Sequence, residues 1–197
     1  MTAFKKSGFF RSAKEIALIG VTTALLIAFQ LALSMVQGVE VVTVFFLAYC
    51  VAFGVRRGMI VATAFSLLRC LLNGFFPNVV LLYLIYYNAF ALVFGLLGRF
   101  VGKFSSVACV FLFAAAAVCM TCGFTLLDDL ITPWMLGYAE KSARAYFYAS
   151  LPVMAVQACC AAVTVALLWL PLYKVFSAVG FSRSARRAIR KSKILRS

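Results

Sequence analysis

The chain has 197 residues, of which 65% are hydrophobic and 12% are charged, and its mean hydropathy is +1.06. No soluble domain of this length needs so much apolar surface, so the composition predicts an integral membrane protein. The formal net charge of +14 does not indicate nucleic-acid binding, because the basic residues gather where a membrane protein meets anionic lipid. The sequence has no histidine, which excludes His-based catalytic triads and most metal sites.

Sixteen of the nineteen basic residues fall in four short segments, which long apolar stretches separate. Cytoplasmic loops of membrane proteins are rich in Lys and Arg, because positive segments resist translocation. If all four segments are cytoplasmic, three helical hairpins must connect them. The sequence therefore predicts an all-α bundle of six transmembrane helices, multi-pass in a prokaryotic plasma membrane, with both termini in the cytoplasm. The basic segments are residues 1–14, 56–57, 99–103 and 174–197.

The apolar stretches predict a single membrane domain over the whole chain. The second and third helices, joined by a turn at Arg56-Arg57-Gly58, would each span roughly 22 Å of the roughly 30 Å apolar core. They must be shielded by neighbours or meet a pocket that water enters. Residues 128–146 are predicted as the longest outer loop and a possible lid, and the basic tail 174–197 is expected to bind anionic lipid. The predicted helices cover about residues 13–36, 41–55, 59–72, 79–100, 105–127 and 147–173.

Arg69 is the basic residue that interrupts an apolar run. An ionisable side chain at membrane depth is costly and usually faces a bundle interior or a cavity. Glu40, at the outer start of the second predicted helix, lies at a similar depth. The two could form a structural salt bridge, or both could contact a polar ligand. Arginine suits the second role, because its planar fork holds a carboxylate or phosphate with two hydrogen bonds.

Aromatic and amide side chains gather at the level of Arg69. Tyr83, Tyr86 and Tyr87 share a face of the fourth predicted helix. Tyrosine and tryptophan also form ordinary interfacial belts, which accounts for about half of this group. An aromatic wall with a few amides suits a planar or ring-bearing solute. The candidate substrate-binding residues are Glu40, Arg69, Asn73, Asn78, Tyr83, Tyr86, Tyr87, Asn88, Trp134 and Gln157.

The remaining reactive groups do not indicate an enzyme, a metal site or a cofactor. Asp128 and Asp129 would point about 100° apart on a helix, so they cannot easily share a water molecule. Their simplest interpretation is a helix end that meets water. Cys119 and Cys122 form a CxxC within an apolar run, with no second pair, and cysteine is by default a small buried hydrophobe.

The first predicted helix carries a stripe of small residues within roughly 80° of arc. Small residues at this spacing let another helix approach closely. The stripe could pack inside the bundle or face a partner, and the peripheral position of a first helix favours a partner. Its residues are Ala13, Ala17, Gly20, Ala24 and Ala28.

Four short segments, with the predicted six-helix layout and the size of the chain, resemble the substrate-binding S component of an energy-coupling factor (ECF) transporter. They are residues 14–20, 23–28, 38–43 and 52–58. The resemblance implies a protein that binds a vitamin or related micronutrient near the outer face, where the outer loops close over it. It also implies a transmembrane coupling subunit, contacted by an Ala-x-x-x-Ala pattern on the first helix, and two cytoplasmic ATPases. Ala13/Ala17 and Ala24/Ala28 fit that pattern, whereas Val21 departs from it.

The predicted function is therefore solute capture and not catalysis. The chain lacks a nucleotide-phosphate loop of the GxxxxGK[ST] kind, so ATP hydrolysis must come from partners. Two alternatives remain open. One is a self-contained small transporter or channel, which would need protonatable groups along a continuous path. The other is a membrane scaffold protein that docks through the first helix and the basic tail.

Overall fold

The computed structural model describes residues 13–33, 41–101 and 105–178. Within these ranges the chain is all-helical, with six helices and no strand, which confirms the predicted all-α class. The helices follow one another through short connections. They are α1 (Ala13–Ala32), α2 (Val41–Phe53), α3 (Val55–Asn73), α4 (Pro77–Leu97), α5 (Ser106–Leu136) and α6 (Glu140–Ala178).

Four of the helices, α1, α4, α5 and α6, are long and apolar enough to cross a membrane. Their presence indicates a membrane location. The other two helices do not meet this description, each for a different reason. α2 is apolar but has only 13 residues, whereas α3 has 19 residues and carries three arginines. A count of six spans and the side on which the termini lie stay predictions.

The short helix α2 lies at the centre of the bundle. All its residues from Thr43 to Phe53 are buried, and it packs against α1, α3, α4 and α6. Its aromatic rings contact neighbours on two sides: Phe46 stacks on Phe90 of α4 at 5.4 Å, and Phe45 meets Phe176 of α6 edge-on at 5.2 Å. A helix too short to cross a bilayer is therefore shielded by its neighbours, as its length predicts.

The turn predicted at Arg56-Arg57-Gly58 is wrong, because α2 ends at Phe53 and α3 begins at Val55. The single residue between them is Gly54, whose φ of 86° is a conformation that favours glycine. Arg56 and Arg57 thus lie in the first turn of α3. There the guanidinium of Arg57 forms a nearly buried ion pair with Glu15, which joins the starts of α1 and α3.

The outer loop and lid predicted over residues 128–146 are also wrong. α5 continues to Leu136 and α6 begins at Glu140, so the connection is a tight turn with Gly137 in the left-handed conformation, φ 65°. Residues 128–132 contain no helix breaker, and the intrahelical hydrogen bonds continue through them. With 31 and 39 residues, α5 and α6 are about 46 Å and 58 Å long. Both exceed the roughly 30 Å core of a bilayer.

Candidate functional site

A guanidinium and an amide, each with one buried polar atom, flank one tyrosine ring between α1, α3 and α4. The guanidinium carbon of Arg69 lies 5.7 Å from the ring centroid of Tyr83, and the amide Nε2 of Gln30 donates a long hydrogen bond, 3.5 Å, to the hydroxyl of Tyr83. Nη1 of Arg69 and Oε1 of Gln30 are buried and have no hydrogen-bond partner in the described part of the chain. The Tyr83 cluster, defined as Gln30, Arg69 and Tyr83, thus holds an unused donor and an unused acceptor.

The three tyrosines of α4 form the predicted aromatic wall. Tyr86 is buried, and its ring contacts that of Tyr87 at 5.1 Å. Tyr83 also meets Tyr87, at 5.5 Å. Phe124 of α5 closes the wall, with its ring 5.7 Å from Tyr83 and 4.7 Å from Tyr86. Sequence reasoning missed Phe124, because phenylalanine is common in apolar helices.

Hydroxyl and amide groups hold α3 against α4 beside this wall. Ser66 donates a hydrogen bond of 3.1 Å to the carbonyl oxygen of Tyr83. Thr63 donates to Oδ1 of Asn88 at 3.3 Å, while Nδ2 of Asn88 donates to the carbonyl of Leu84 at 2.8 Å. Both ends of the Asn88 amide are therefore engaged within the protein. Its position favours helix packing over direct contact with a solute.

A second polar group lies where α4, α5 and α6 meet, at the end of the bundle that holds the α5–α6 turn. Thr132 accepts from the amide of Asn78 at 3.2 Å and donates to Asp128 at 2.6 Å. The other Asp128 oxygen accepts from Tyr146 at 2.7 Å. Next to it, Asp129 accepts from a serine hydroxyl at 2.7 Å, while its Oδ1 is buried without a hydrogen-bond partner among the described residues. The aspartate network comprises Asn78, Asp128, Asp129, Thr132, Tyr146 and Ser150.

The interpretation of Asp128 and Asp129 as a helix end that meets water is wrong. Both lie inside α5, about two turns before it ends at Leu136. The sequence carried a usable signal. Thr132 follows Asp128 by four residues, the spacing at which two helical side chains can bond, and no glycine or proline stands between them.

A cavity of about 290 Å³ opens between α5 and α6 beside the aspartate network. Phe124 lines this cavity and also contacts the tyrosine wall, so it joins the cavity to the Tyr83 cluster. Gln157 of α6, a predicted site residue, also lines the cavity. The residues that give the cavity its chemistry are Phe124, Asp128, Tyr146, Ser150, Val153 and Gln157.

The remaining predicted residues are less informative. Trp134 lies 78% exposed near the end of α5, outside the cavity lining. Asn73 is the last residue of α3, and its side chain lies outside what the structure describes. Glu40 also lies outside the described residues, so its predicted pairing with Arg69 stays a prediction. In the described ranges, no three His, Cys, Asp or Glu side chains are placed to hold a metal ion.

The small-residue stripe of α1 lies on the surface. Ala13, Ala17, Gly20, Ala24 and Ala28 are all exposed. A methyl group added at Gly20 would meet no atom within 4 Å. An apolar groove of about 480 Å³ runs between this stripe and α3. In the structure the stripe therefore faces outward and is not packed inside the bundle.

Comparison of the chain with protein-family models, with curated proteins and with solved structures gives no match. What the protein binds must therefore be inferred from its own side chains. Two sets of them stand out: the Tyr83 cluster with its unused donor and acceptor, and a cavity that contains a carboxylate. Phe124 contacts the first and lines the second.

Proposed function

We propose that the protein is the substrate-capture subunit of a micronutrient uptake transporter of the ECF type. The observation that carries the proposal is the Tyr83 cluster, in which Arg69 Nη1 and Gln30 Oε1 are buried beside an aromatic wall and have no hydrogen-bond partner among the described residues. A buried polar atom without a hydrogen bond costs about 1–3 kcal/mol. A solute that brings a ring together with a carboxylate or carbonyl group would stack on the tyrosines and satisfy Arg69.

The distribution of charge supports six spans with both termini in the cytoplasm. Arg56 and Arg57 lie at the start of α3, Arg99 follows the end of α4, and Lys174 lies near the end of α6. Alternate helices of a bundle place all these positions toward one end, which the positive-inside rule assigns to the cytoplasm. In that orientation the aspartate network and the Tyr83 cluster lie in the outer half, where a capture protein would meet its solute.

The exposed face of α1 supports a partner within the membrane. Small residues let a second helix come close enough for extensive van der Waals contact, which drives association between helices in lipid. In the proposed transporter this partner is the coupling subunit, and two cytoplasmic ATPases supply the energy. The chain itself binds the solute and is reoriented by the complex to release it inside.

Native mass spectrometry of the detergent-purified protein tests capture directly. We expect wild-type protein from rich medium to carry a stoichiometric small molecule, and Arg69→Gln to lose it because the planar cationic donor is gone. Arg144→Gln is the matched control, since Arg144 is exposed and pairs with Glu140 at the surface. A spectrum without any adduct, unchanged after a vitamin mixture is added, would contradict capture and favour a membrane scaffold.

A tryptophan on the α1 stripe tests the partner. Ala24→Trp is expected to leave the small molecule bound, because Ala24 is exposed, but to abolish uptake in cells that contain the coupling complex. Leu25→Trp is the control, since Leu25 is also exposed but points about 100° away around the helix. If Ala24→Trp loses binding and uptake together, the stripe is part of the protein's own fold and the proposed docking face is wrong.

A further inference from the structure

The cavity between α5 and α6 has a chemistry different from that of the Tyr83 cluster. We infer that it receives a protonated nitrogen of the captured solute, held against Asp128. The inference rests on the proposed function in so far as the bound molecule is a transported solute, and it names the class of that solute. The class is a small ring compound that carries an ammonium or other protonated nitrogen group in addition to the group that Arg69 binds.

Among the residues that the structure describes, no Lys or Arg forms an ion pair with the carboxylates beside the cavity. The ion pairs formed within the described ranges are Arg57–Glu15 and Arg144–Glu140, and neither includes Asp128 or Asp129. Asp128 instead accepts hydrogen bonds from the hydroxyls of Thr132 and Tyr146, which carry no charge. Carboxylates at membrane depth normally pair with a cation or mark the path of a substrate. This one lines a cavity, so a bound cation can reach it.

The hydrogen bonds around Asp128 hold its carboxylate in place without using all of it. Thr132 binds one oxygen and Tyr146 the other, which fixes the plane of the group. An ionised carboxylate offers about four acceptor positions, so two remain for a ligand. The neighbouring Asp129 has a further buried oxygen, Oδ1, without a partner among the described residues. Asp128 therefore accepts donors, as an ammonium group supplies, and its ionised carboxylate has no donor to offer an anion.

The rest of the lining agrees with a cation. The rings of Phe124 and Tyr146 belong to the cavity wall, and aromatic faces attract cations. An anion in the cavity would be repelled by the carboxylate of Asp128, and a neutral alcohol would leave the negative charge of that carboxylate unbalanced. A bare metal ion is a poor occupant, since the described residues hold no group of three metal-binding side chains. At about 290 Å³ the cavity matches the smallest small-molecule sites, enough for the nitrogen-bearing part of a solute.

The test compares benzylamine, a ring with a protonated nitrogen at neutral pH, with benzyl alcohol, its neutral counterpart. Their affinities for the detergent-purified full chain are measured by ligand-observed saturation-transfer NMR. We expect wild-type protein to bind benzylamine at least about tenfold more tightly, because hydrogen bonds to a charged group are the stronger ones. Asp128→Asn should abolish this preference. Glu140→Gln, which removes an exposed carboxylate of α6 outside the cavity lining, should keep it.

A second variant keeps the test decisive if Asp128→Asn does not fold. Gln157→Lys leaves the aspartate network intact and places a cation in the cavity, so it should prevent benzylamine binding and spare benzyl alcohol. Equal affinities of the wild-type protein for the two probes, or a preference for benzylamine that survives Asp128→Asn or Gln157→Lys, would overturn the inference. Failure of the proposed function looks different: the amine preference is present, yet no solute co-purifies. A co-purified solute without a protonated nitrogen would instead overturn the cation site alone and leave capture standing.

Discussion

The helices α2 and α6 show how differently two apolar helices of one bundle can be used. In α2, all eleven residues from Thr43 to Phe53 are buried. In α6, four of 39 residues are buried, Ala161, Val165, Trp169 and Phe176, and all four lie in its second half. None of residues 140–160 is buried. The first half of α6 therefore adds little to the core of the monomer, although it provides one side of the α5–α6 cavity.

The two helices therefore differ in what they contribute: α2 stabilises the fold, whereas the first half of α6 lines the proposed binding cavity. Burial of apolar surface stabilises the folded state in proportion to area, and α2 with its ring contacts to α4 and α6 supplies a large share of that surface. Around the aspartate network, α5 and α6 are instead joined by hydrogen bonds between polar side chains and line the cavity. Regions with few buried apolar contacts open at low free-energy cost, which suits the role we propose for the cavity in admitting and releasing a solute.

The largest expected difference in stability is between two substitutions that each remove a carboxylate, one near α2 and one on α6. Glu15→Gln removes the carboxylate that faces Arg57 near α2, where both side chains are nearly buried, at 12% and 10% exposed. Removal of one member of a buried ion pair costs about 3–5 kcal/mol, so the free energy of unfolding in SDS, followed by far-UV circular dichroism, should fall by about that much. Glu140→Gln breaks an ion pair whose side chains are 79% and 72% exposed, and should cost less than about 0.5 kcal/mol. Equal losses would mean that the α2 region is not the stabilising one.

A second pair of substitutions tests how tightly the helices pack, by adding a methyl group to a glycine of α4 or of α5. A Cβ at Gly95 of α4 would lie 2.6 Å from the backbone nitrogen of Val55, at the junction of α2 and α3. The backbone there cannot move aside, so Gly95→Ala should cost about 2 kcal/mol in the same unfolding assay. Gly123→Ala on α5 is the control, because nothing lies within 4 Å of its Cβ. There the gain in helix propensity should stabilise by up to about 1 kcal/mol. A harmless Gly95→Ala would show that the junction is looser than the contacts indicate.

Sequence reasoning placed a helix within each of the six that the described residues form, because each contains a long apolar run, but it ended α5 too early and began α6 too late. It also predicted that Arg69 and Tyr83 lie at a similar level of the bundle, although it did not predict their contact. The short turn between α3 and α4 falls midway between these two residues, so antiparallel packing brings them to one level. The Glu15–Arg57 pair could not be found this way, because the residues are 42 positions apart and both could equally face water at a membrane surface.

The cavity was missed because its polar groups resemble ordinary ones in the sequence. Hydroxyls within apolar helices commonly bond to their own backbone, as Thr23 does to the carbonyl of Ile19 and Thr164 to that of Cys160. Thr132 has the same appearance in the sequence, yet it bonds Asp128. Only the extension of α5 to Leu136 reveals the difference, since it turns a supposed loop into a helix face opposite Tyr146.

The smallest expected effect concerns two tyrosine hydroxyls. Tyr49 of α2 is fully buried, and its hydroxyl has no hydrogen-bond partner among the described residues. Tyr49→Phe removes a desolvated polar atom and keeps the ring, so it should raise stability by about 1 kcal/mol without affecting the retained solute. Tyr83→Phe removes the hydroxyl that Gln30 contacts, and should instead lower solute retention while changing stability little. Native mass spectrometry and SDS unfolding on both variants check this. If Tyr49→Phe lost the solute and Tyr83→Phe did not, the solute would bind around α2 and not at the Tyr83 cluster.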